Sequence, residues 1–477
     1  MWDNGFDILG SMVGKPEVEA AFVKKEVDVI MNKLNDLASM TSRHDAFTLF
    51  RETWLPLITH HLRCIEVQPG YEYGLAELQE KQEDFTDKLR GNEAQHRHVT
   101  TPWLERLPVR EGGVGLPCAK DIAPHAYNAS REESEHYYWS QHTDPRHQAP
   151  AGLGAPFAAR PTTTTSTSTP ATPPKPQRTR VQEHVISNFR ALLDSHHAPT
   201  HAIVNGIQET QDTYKKERLA YYDRCNKVGR QWLERGAPGH NPGSIHMSNT
   251  EFGLALARQT HVARVCEETL CENCGLVLTT DDADHRTNCL HSTGVPTHNS
   301  VQHAVIKVID AYMPGVKITG ETVVGTVERR TGQRTAKRAD MRIPPNDFNG
   351  VGHQVVDFKF SAITSRALGA HALIRKSAFS DTPESLEAWS ARQVKSSLQQ
   401  AYKVKADEYK TFAPSPSIRQ VPVTYLIFST RGSPHEMANA WLGAFPSDMR
   451  NAIRRAIAFT LQLRLNKGVQ TGLSREW

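Results

Sequence analysis

The chain has 477 residues with 56 basic and 52 acidic side chains, so it is long enough for two or three domains, and its net charge of +4 does not by itself identify a nucleic-acid-binding protein. A hydrophobic share of 38% and a mean hydropathy of −0.53 argue against a protein built of membrane-spanning helices. The N-terminus lacks a basic region followed by an apolar one, so we expect an intracellular protein.

The first segment, residues 1–150, is predicted to be mainly helical. Apolar residues recur there at alternating steps of four and three, as in a helix that packs on another helix. A second apolar pattern, from Phe47 to Ile58, follows a plausible N-cap at Thr41-Ser42, and the helical pattern is expected to break near Pro69-Gly70. The first stripe consists of Val23, Val27, Ile30, Leu34 and Leu37.

Residues 151–182 are rich in Thr, Pro and Ser and include four consecutive threonines from Thr162 to Thr165. Such a composition cannot bury a core, so this segment is predicted to be a disordered linker. Residues 183–265 return to helix-forming sequence and are interpreted as a helical connector. Its aromatic residues could stack on bases, but packing inside the connector is the favoured interpretation.

A cluster of cysteine and histidine residues follows in residues 266–292. The spacing of Cys271 and Cys274 is that of a zinc knuckle, and His285 and Cys289 can complete a tetrahedral, structural zinc site. Cys266 and His291 are alternative ligands, so the fourth ligand stays open. Accidental clustering is the other interpretation.

The remaining segment, residues 297–477, predicts a helix, three strands, a helix and a strand, followed by terminal helices. The first helix opens at His298-Asn299, and the first strand is expected at residues 316–324. The next strands carry Asp340 and Asp357. A long helix then runs to about Tyr409, before a strand at residues 421–428.

Period-two alternation places Asp357 and Lys359 on one face of their strand, and a hairpin could bring Asp340 beside them. Two carboxylates can hold a divalent cation, and a nearby lysine can polarise a phosphate or position a water molecule. This combination predicts metal-assisted phosphodiester cleavage. The alternative is an exposed salt bridge on an edge strand.

A basic loop is predicted just before and around Asp340. Its side chains could follow a phosphate backbone and bind DNA without sequence preference. A solvated charged loop is the alternative. The residues are Arg329, Arg330, Arg334, Lys337, Arg338 and Arg342.

Two strings, LPVREGGVGL at residues 107–116 and DIAPHAYNAS at residues 121–130, resemble the region after the polymerase core in reverse transcriptases of non-long-terminal-repeat retrotransposons. Residues 1–150 would then be thumb-like. The polymerase's aromatic-x-Asp-Asp strand is not found, so we expect no reverse transcription and interpret the chain as a fragment without fingers and palm.

The succession of knuckle, His298-Asn299 helix, Arg338-Ala339-Asp340 strand, Asp357 strand and Lys405–Tyr409 helix resembles the C-terminal restriction-like PD-(D/E)xK endonuclease of such elements. The resemblance implies an α+β or α/β multidomain protein with a helical N-terminal half, a small zinc knuckle and a restriction-endonuclease-like core at the C-terminus. Its partners would be DNA and the RNA of the parent element, and its location the nucleus.

By the same resemblance, Asp340 and Asp357 would bind catalytic Mg²⁺ or Mn²⁺, in addition to the structural Zn²⁺ of the knuckle. Lys359 has the better local geometry for the catalytic lysine, whereas Lys405 has the family precedent, and the sequence does not choose between them. His298 is more readily interpreted as a scaffold residue. The expected activity is nicking of target DNA for integration. The alternatives are a catalytically inert zinc- and nucleic-acid-binding remnant and a structural assembly protein.

Overall fold

The structure of the chain is a computed structural model. It describes residues 5–8, 10–91, 94–97, 101–142, 177–196, 223, 226–233, 247–260, 262–264, 269–270, 277–278, 295–328, 334–344, 354–361, 386–410, 413–414 and 423–473. The chain divides into two compact units. The first comprises Met1–Thr41, Asp45–Lys88 and Leu116–Arg190, and the second comprises Ser42–His44, Leu89–Gly115 and Ala191–Trp477.

Helices and strands alternate unevenly along the chain. The helices are α1 (Pro16–Ala38), α2 (Arg43–Leu49), α3 (Leu55–Cys64), α4 (Leu75–Arg90), α5 (Thr101–Arg106), α6 (Ala119–His142), α7 (Gln177–His196), α8 (Asn249–Gln259), α9 (Val295–Tyr312), α10 (Leu386–Lys410), α11 (Glu436–Gly443) and α12 (Ser447–Leu473). A short π-helix, Phe50–Trp54, links α2 to α3, and a 3₁₀ turn occupies Val109–Glu111.

The strands are β1 (Phe6–Ile8), β2 (Ser11–Val13), β3 (Ala94–Arg97), β4 (Val262–Arg264), β5 (Thr269–Leu270), β6 (Val277–Leu278), β7 (Thr319–Glu328), β8 (Arg334–Ile343), β9 (Gln354–Ser361), β10 (Ala413–Pro414) and β11 (Val423–Ser429). Within the part of the chain that the structure describes, no helix is long and apolar enough to cross a membrane.

The first unit is mainly helical, as predicted. The five apolar residues of the predicted stripe are all buried in α1, where Pro16 and two glutamates in the first turn suit the start of a helix. Helix α3 ends at Cys64 and α4 begins at Leu75, so the predicted break near Gly70 is confirmed. Helix α7 begins at Gln177, inside the segment predicted as linker, whereas residues 143–176 lie outside the described residues.

The second unit contains a five-stranded mixed sheet in the order β10-β7-β8-β9-β11. Strands β7, β8 and β9 pair antiparallel, and β11 pairs parallel to β9 with Tyr425 opposite Asp357. A parallel neighbour requires a crossover connection, and α10 lies in the connection between β9 and β11. The predicted order of helix, three strands, helix and strand is therefore present.

Helices cover both faces of this sheet. On one face, α9, α11 and α12 bury an apolar core against the strands. This core includes Val301, Val305, Ile309, Met341, Val356, Phe358, Phe428, Trp441, Leu442, Ile453 and Ile457. On the other face lies α10, whose apolar stripe of Val394, Leu398 and Ala401 packs against Ile427. The chain is thus a mixture of helix and sheet, with a sheet buried between helices.

The prediction of a basic loop is wrong for four of its six residues. Arg334, Lys337, Arg338 and Arg342 belong to strand β8, which pairs antiparallel with β7 along most of its length. Backbone pairing with β7 therefore fixes these residues in extended conformation, although their charge suggested a loop. Arg329 and Arg330 lie outside the described residues.

A buried ion pair lies elsewhere in the second unit. The guanidinium of Arg90 is fully buried and contacts the Glu105 carboxylate, whose side chain is 5% exposed. The Nε of Arg90 also donates to Oγ1 of Thr260 at 3.1 Å. Glu105 and Thr260 thus supply acceptors for the N–H groups of this guanidinium, which a buried cation requires.

Candidate metal centre

The site forms where strands β8 and β9 part. Among the described residues, the last pair of this ladder joins Met341 to Val356, and continuing the register by one residue places Asp340 across from Asp357. The Asp340 carboxylate accepts a hydrogen bond from the backbone N–H of Phe358. A side-chain oxygen thus satisfies a backbone donor beyond the end of the ladder, and this bond fixes the Asp340 carboxylate beside β9.

Helix α9 contributes two side chains that are one turn apart. Gln302 donates from its amide nitrogen to the backbone carbonyl of Asp340. The Nε2 of His298 lies 2.6 Å from Oδ2 of Asp340, and its Nδ1 lies 3.2 Å from Oδ1 of Asn299. Because residues four apart share a helix face, the face that holds the Asp340 backbone also brings the imidazole to its carboxylate.

The pKa of His298 reflects two opposing causes. Burial lowers the pKa of the imidazole, whereas the hydrogen bond to Asp340 and the charge of that carboxylate raise it. The contributions that raise it prevail, and the pKa of His298 is raised above its usual value. The charged imidazolium is therefore favoured while it faces the Asp340 carboxylate.

Helix α10 reaches the site from the opposite face of the sheet. Lys405 places its Nζ 2.9 Å from Oδ2 of Asp357, and the Tyr409 hydroxyl donates to the same oxygen. Both side chains continue the buried stripe that begins at Val394, since they follow Ala401 at steps of four. The packing of α10 on the sheet therefore determines which polar groups meet Asp357.

Asp357 is the most buried carboxylate of the cluster, with its side chain 3% exposed. The pKa of Asp357 is raised to about 6, because burial and the charge of Asp340 raise it by more than Lys405 and Tyr409 lower it. Burial and the charge of Asp357 in turn hold the pKa of the Tyr409 hydroxyl far above its usual range, so this group stays a hydrogen-bond donor. One lysine does not offset the cost of two neighbouring buried carboxylates.

Three of these residues can each offer an atom to one cation. The candidate ligand atoms of His298, Asp340 and Asp357 all lie within 4.8 Å of one another. Carboxylate oxygens suit hard divalent cations such as Mg²⁺ and Mn²⁺. Burial, followed by the charge of Asp340, raises the pKa of Asp357, and a cation would offset both effects on the ionised carboxylate. The residues therefore fit a divalent cation.

The structure brings together three of the four predicted catalytic residues, Asp340, Asp357 and Lys405. Lys359 lies two residues beyond Asp357 on β9 and is half-buried, whereas the contact with the Asp357 carboxylate is made by Lys405. The predicted zinc ligands Cys271, Cys274, His285 and Cys289 lie outside the described residues, as do the alternatives Cys266 and His291.

Of the predicted DNA-binding residues, Arg338 is exposed and pairs with Glu321 at 2.9 Å, and Arg342 is half-buried. Three partners of the acids were not predicted in their observed roles. His298 was interpreted as a scaffold residue, and Tyr409 and Gln302 were not assigned to the acids. The i, i+4 spacing of His298 and Gln302 at the start of an apolar helix was the available signal.

Comparisons of the chain with known protein families and with curated proteins find no match. We therefore argue the chemistry of the site from its own residues alone. It combines two adjacent carboxylates, an ammonium group, an imidazole and a hydroxyl donor in a largely buried cluster. Such a cluster can bind a cation and place positive charge beside an anionic substrate.

Proposed function

We propose that this chain is a metal-dependent endonuclease that nicks DNA by hydrolysing a phosphodiester bond. One observation carries the proposal: Asp340 and Asp357 meet where two strands part, and Lys405 contacts the second carboxylate at 2.9 Å. Two carboxylates and a lysine at a strand end are the groups that the sequence predicted for this chemistry. The arrangement supports the prediction and favours Lys405 over Lys359.

The order of elements supports the same proposal. Strands β7, β8 and β9 run antiparallel, β11 returns parallel to β9, and helices lie on both faces. This order resembles the core of restriction-like nucleases. We extend the proposal to a restriction-like domain at residues 297–477 of a retrotransposon protein, with a zinc knuckle at residues 266–292 and DNA as the substrate.

In the proposed mechanism, Asp340 and Asp357 hold the cation, and the N–H of Phe358 keeps the Asp340 carboxylate in place. A bound Mg²⁺ or Mn²⁺ supplies positive charge that favours attack on a phosphate at neutral pH. Lys405, whose Nζ lies 2.9 Å from Asp357, would place its ammonium beside the bound phosphate and stabilise charge on the phosphate oxygens.

The overall reaction adds water across one phosphorus–oxygen bond. The water oxygen forms a bond to phosphorus, the bond to the leaving sugar oxygen breaks, and that oxygen takes up a proton. Tyr409 keeps its proton in this scheme, because burial and the neighbouring Asp357 raise the pKa of its hydroxyl. Its role is to orient the Asp357 carboxylate by hydrogen bonding.

Nicking of supercoiled plasmid by the purified chain tests the proposal. We expect nicking that requires Mg²⁺ or Mn²⁺ and falls by about 100-fold or more in Asp340→Asn and Asp357→Asn. Glu321→Gln, which alters an exposed carboxylate on β7, is the control and should keep wild-type activity. A folded wild-type protein that binds DNA without nicking it would support the inert remnant instead.

DNA binding at several salt concentrations separates the remaining alternative. Both the nuclease and the inert remnant predict an affinity that falls steeply as salt rises, because phosphate contacts release counterions. A structural assembly protein predicts no such dependence. Binding measured by fluorescence anisotropy with a short duplex gives this slope directly.

A further inference from the structure

We propose that His298 is a nitrogen ligand of the cation, and that this ligand makes the centre prefer Mn²⁺ to Mg²⁺. The inference rests on the proposed function only in assuming that a cation binds between Asp340 and Asp357. It adds a third protein ligand from helix α9 and a metal preference, neither of which follows from the two carboxylates.

The position of the imidazole supports ligation. His298 lies in the first turn of α9, and its Nε2 is 2.6 Å from the Asp340 oxygen that also accepts the Phe358 N–H. The same nitrogen belongs to the set of three ligand atoms that lie within 4.8 Å of one another. A cation held by both carboxylates would therefore lie within reach of Nε2 after small side-chain adjustments.

The other ring nitrogen supplies an independent observation. Nδ1 of His298 lies 3.2 Å from Oδ1 of Asn299, and an amide oxygen can only accept. Nδ1 therefore donates to Asn299, and a cation between the carboxylates would take the place of the proton that Nε2 shares with Asp340. Histidines that bind metals commonly donate from the second ring nitrogen to an oxygen, which fixes the ring and its tautomer.

The packing of the ring is also suited to a ligand. His298 lies edge-on to Phe358 at a centroid distance of 6.5 Å, and the neighbouring Gln302 anchors the helix to the Asp340 backbone. His298 packs against β9 and Gln302 is bonded to β8, so the imidazole keeps its place relative to the carboxylates. A preorganised ring loses little conformational entropy when it binds a cation.

The nitrogen donor has a consequence for metal choice. Mg²⁺ prefers oxygen ligands and retains its water molecules, whereas imidazole binds first-row transition metals. A centre of two carboxylates and one imidazole should bind Mn²⁺ about tenfold or more tightly than Mg²⁺. Removal of the imidazole should reduce this ratio, because it weakens Mn²⁺ binding and affects Mg²⁺ binding little.

Electron spin-echo spectroscopy of the full chain with one equivalent of Mn²⁺ tests the inference. We expect coupling to one ¹⁴N nucleus, replaced by ¹⁵N coupling when the histidines are ¹⁵N-labelled. His298→Gln should lose the coupling and lower the Mn²⁺ to Mg²⁺ affinity ratio about tenfold. His303→Gln is the matched control, because His303 is exposed on the same helix and should leave both readouts unchanged.

The possible results separate this inference from the proposed function. Mn²⁺ bound with all-oxygen coordination, coupling that survives in His298→Gln, or no Mn²⁺ binding would each overturn the inference. Nicking by a centre with all-oxygen coordination would keep the endonuclease and reject the histidine ligand. Histidine-bound Mn²⁺ without nicking would keep the ligand and reject the endonuclease. The labelling experiment uses the wild-type chain, so it does not depend on the folding of a variant.

Discussion

The Nζ of Lys405 lies 2.9 Å from Oδ2 of Asp357, so a helix on one face of the sheet delivers an ammonium group to the point where β8 and β9 part. The ammonium also lies 5.9 Å from the centre of the Tyr409 ring, which donates its hydroxyl to the same carboxylate. One carboxylate therefore has two partners from one helix. Because both contacts end on one oxygen, Lys405 and Tyr409 need separate variants.

Lys405→Met should reduce plasmid nicking by about 100-fold while DNA affinity changes little, because in the proposed mechanism the ammonium would stabilise charge that develops on the phosphate. Methionine keeps much of the apolar stem, so packing of α10 is retained. Lys403→Met, on the exposed side of the same helix, is the control and should nick normally. A larger loss in Lys359→Met than in Lys405→Met would contradict the assignment.

Mn²⁺ affinity should rise with pH across the titration of Asp357. Burial and the charge of Asp340 hold the pKa of this carboxyl at about 6, so its proton competes with the cation below that pH and is largely absent above it. We expect the affinity to fall by about tenfold or more for each pH unit below about 6, because the pKa of His298 is also raised and its proton would compete as well. Titration calorimetry from about pH 5 to about pH 8 measures this, and a pH-independent affinity would exclude Asp357 as a ligand.

Asp357→Asn should stabilise the protein at neutral pH when no divalent cation is added. The pKa of Asp357 is raised from 3.8 to about 6, mainly by burial, so its favourable contribution to folding is present below pH 3.8 and is lost as pH rises through about 6. The loss approaches about 3 kcal/mol above that range. Urea unfolding of both proteins at about pH 5 and about pH 8 should show the gap widening with pH.

Tyr409→Phe should destabilise the protein by about 2 kcal/mol at pH 8, because the Asp357 carboxylate loses a hydrogen bond in a buried setting. It should also raise the pKa of Asp357, since the hydroxyl now lowers that pKa. Denaturant unfolding and NMR titration measure the two effects. Tyr402→Phe removes a hydroxyl from the same helix, where the ring stacks on His435, and serves as the comparison.

Glu105→Gln should lower the free energy of unfolding by about 3 kcal/mol or more, because the fully buried Arg90 guanidinium would lose its charged partner. The exposed pair of Arg338 and Glu321 offers a contrast, and Glu321→Gln should cost less than about 1 kcal/mol. Chemical denaturation of both variants measures the difference. Equal effects would show that burial of the Arg90 pair does not govern its contribution.

Local patterns were sufficient for several elements of both units. The spacing of Val23, Val27 and Ile30 predicted the buried face of α1, and the alternation around Asp357 predicted a strand with opposite faces. The basic residues of β8 misled the prediction, because charge suggested a loop. Pairing with β7 is a long-range interaction, and it outweighed the local preference.

The site was predictable only in part, because its contacts join elements that are distant in sequence. The acids could be chosen from their strands, whereas the sequence left the lysine open between Lys359 and Lys405. The contact of His298 with Asp340 depends on how α9 packs against β8, and the contact of Tyr409 with Asp357 depends on the placement of α10. Neither placement is encoded in a short window of sequence.

The crossover helix α10 has a consequence for the order in which the protein acquires its chemistry. Ribosomal synthesis delivers His298, Asp340 and Asp357 before Lys405, and α10 follows β9 but precedes β11. A nascent chain that ends before α10 therefore carries the acids without the ammonium. Under the proposed function, such a chain would lack the charge that stabilises the phosphate oxygens, and the parallel pairing of β11 with β9 would also still be missing.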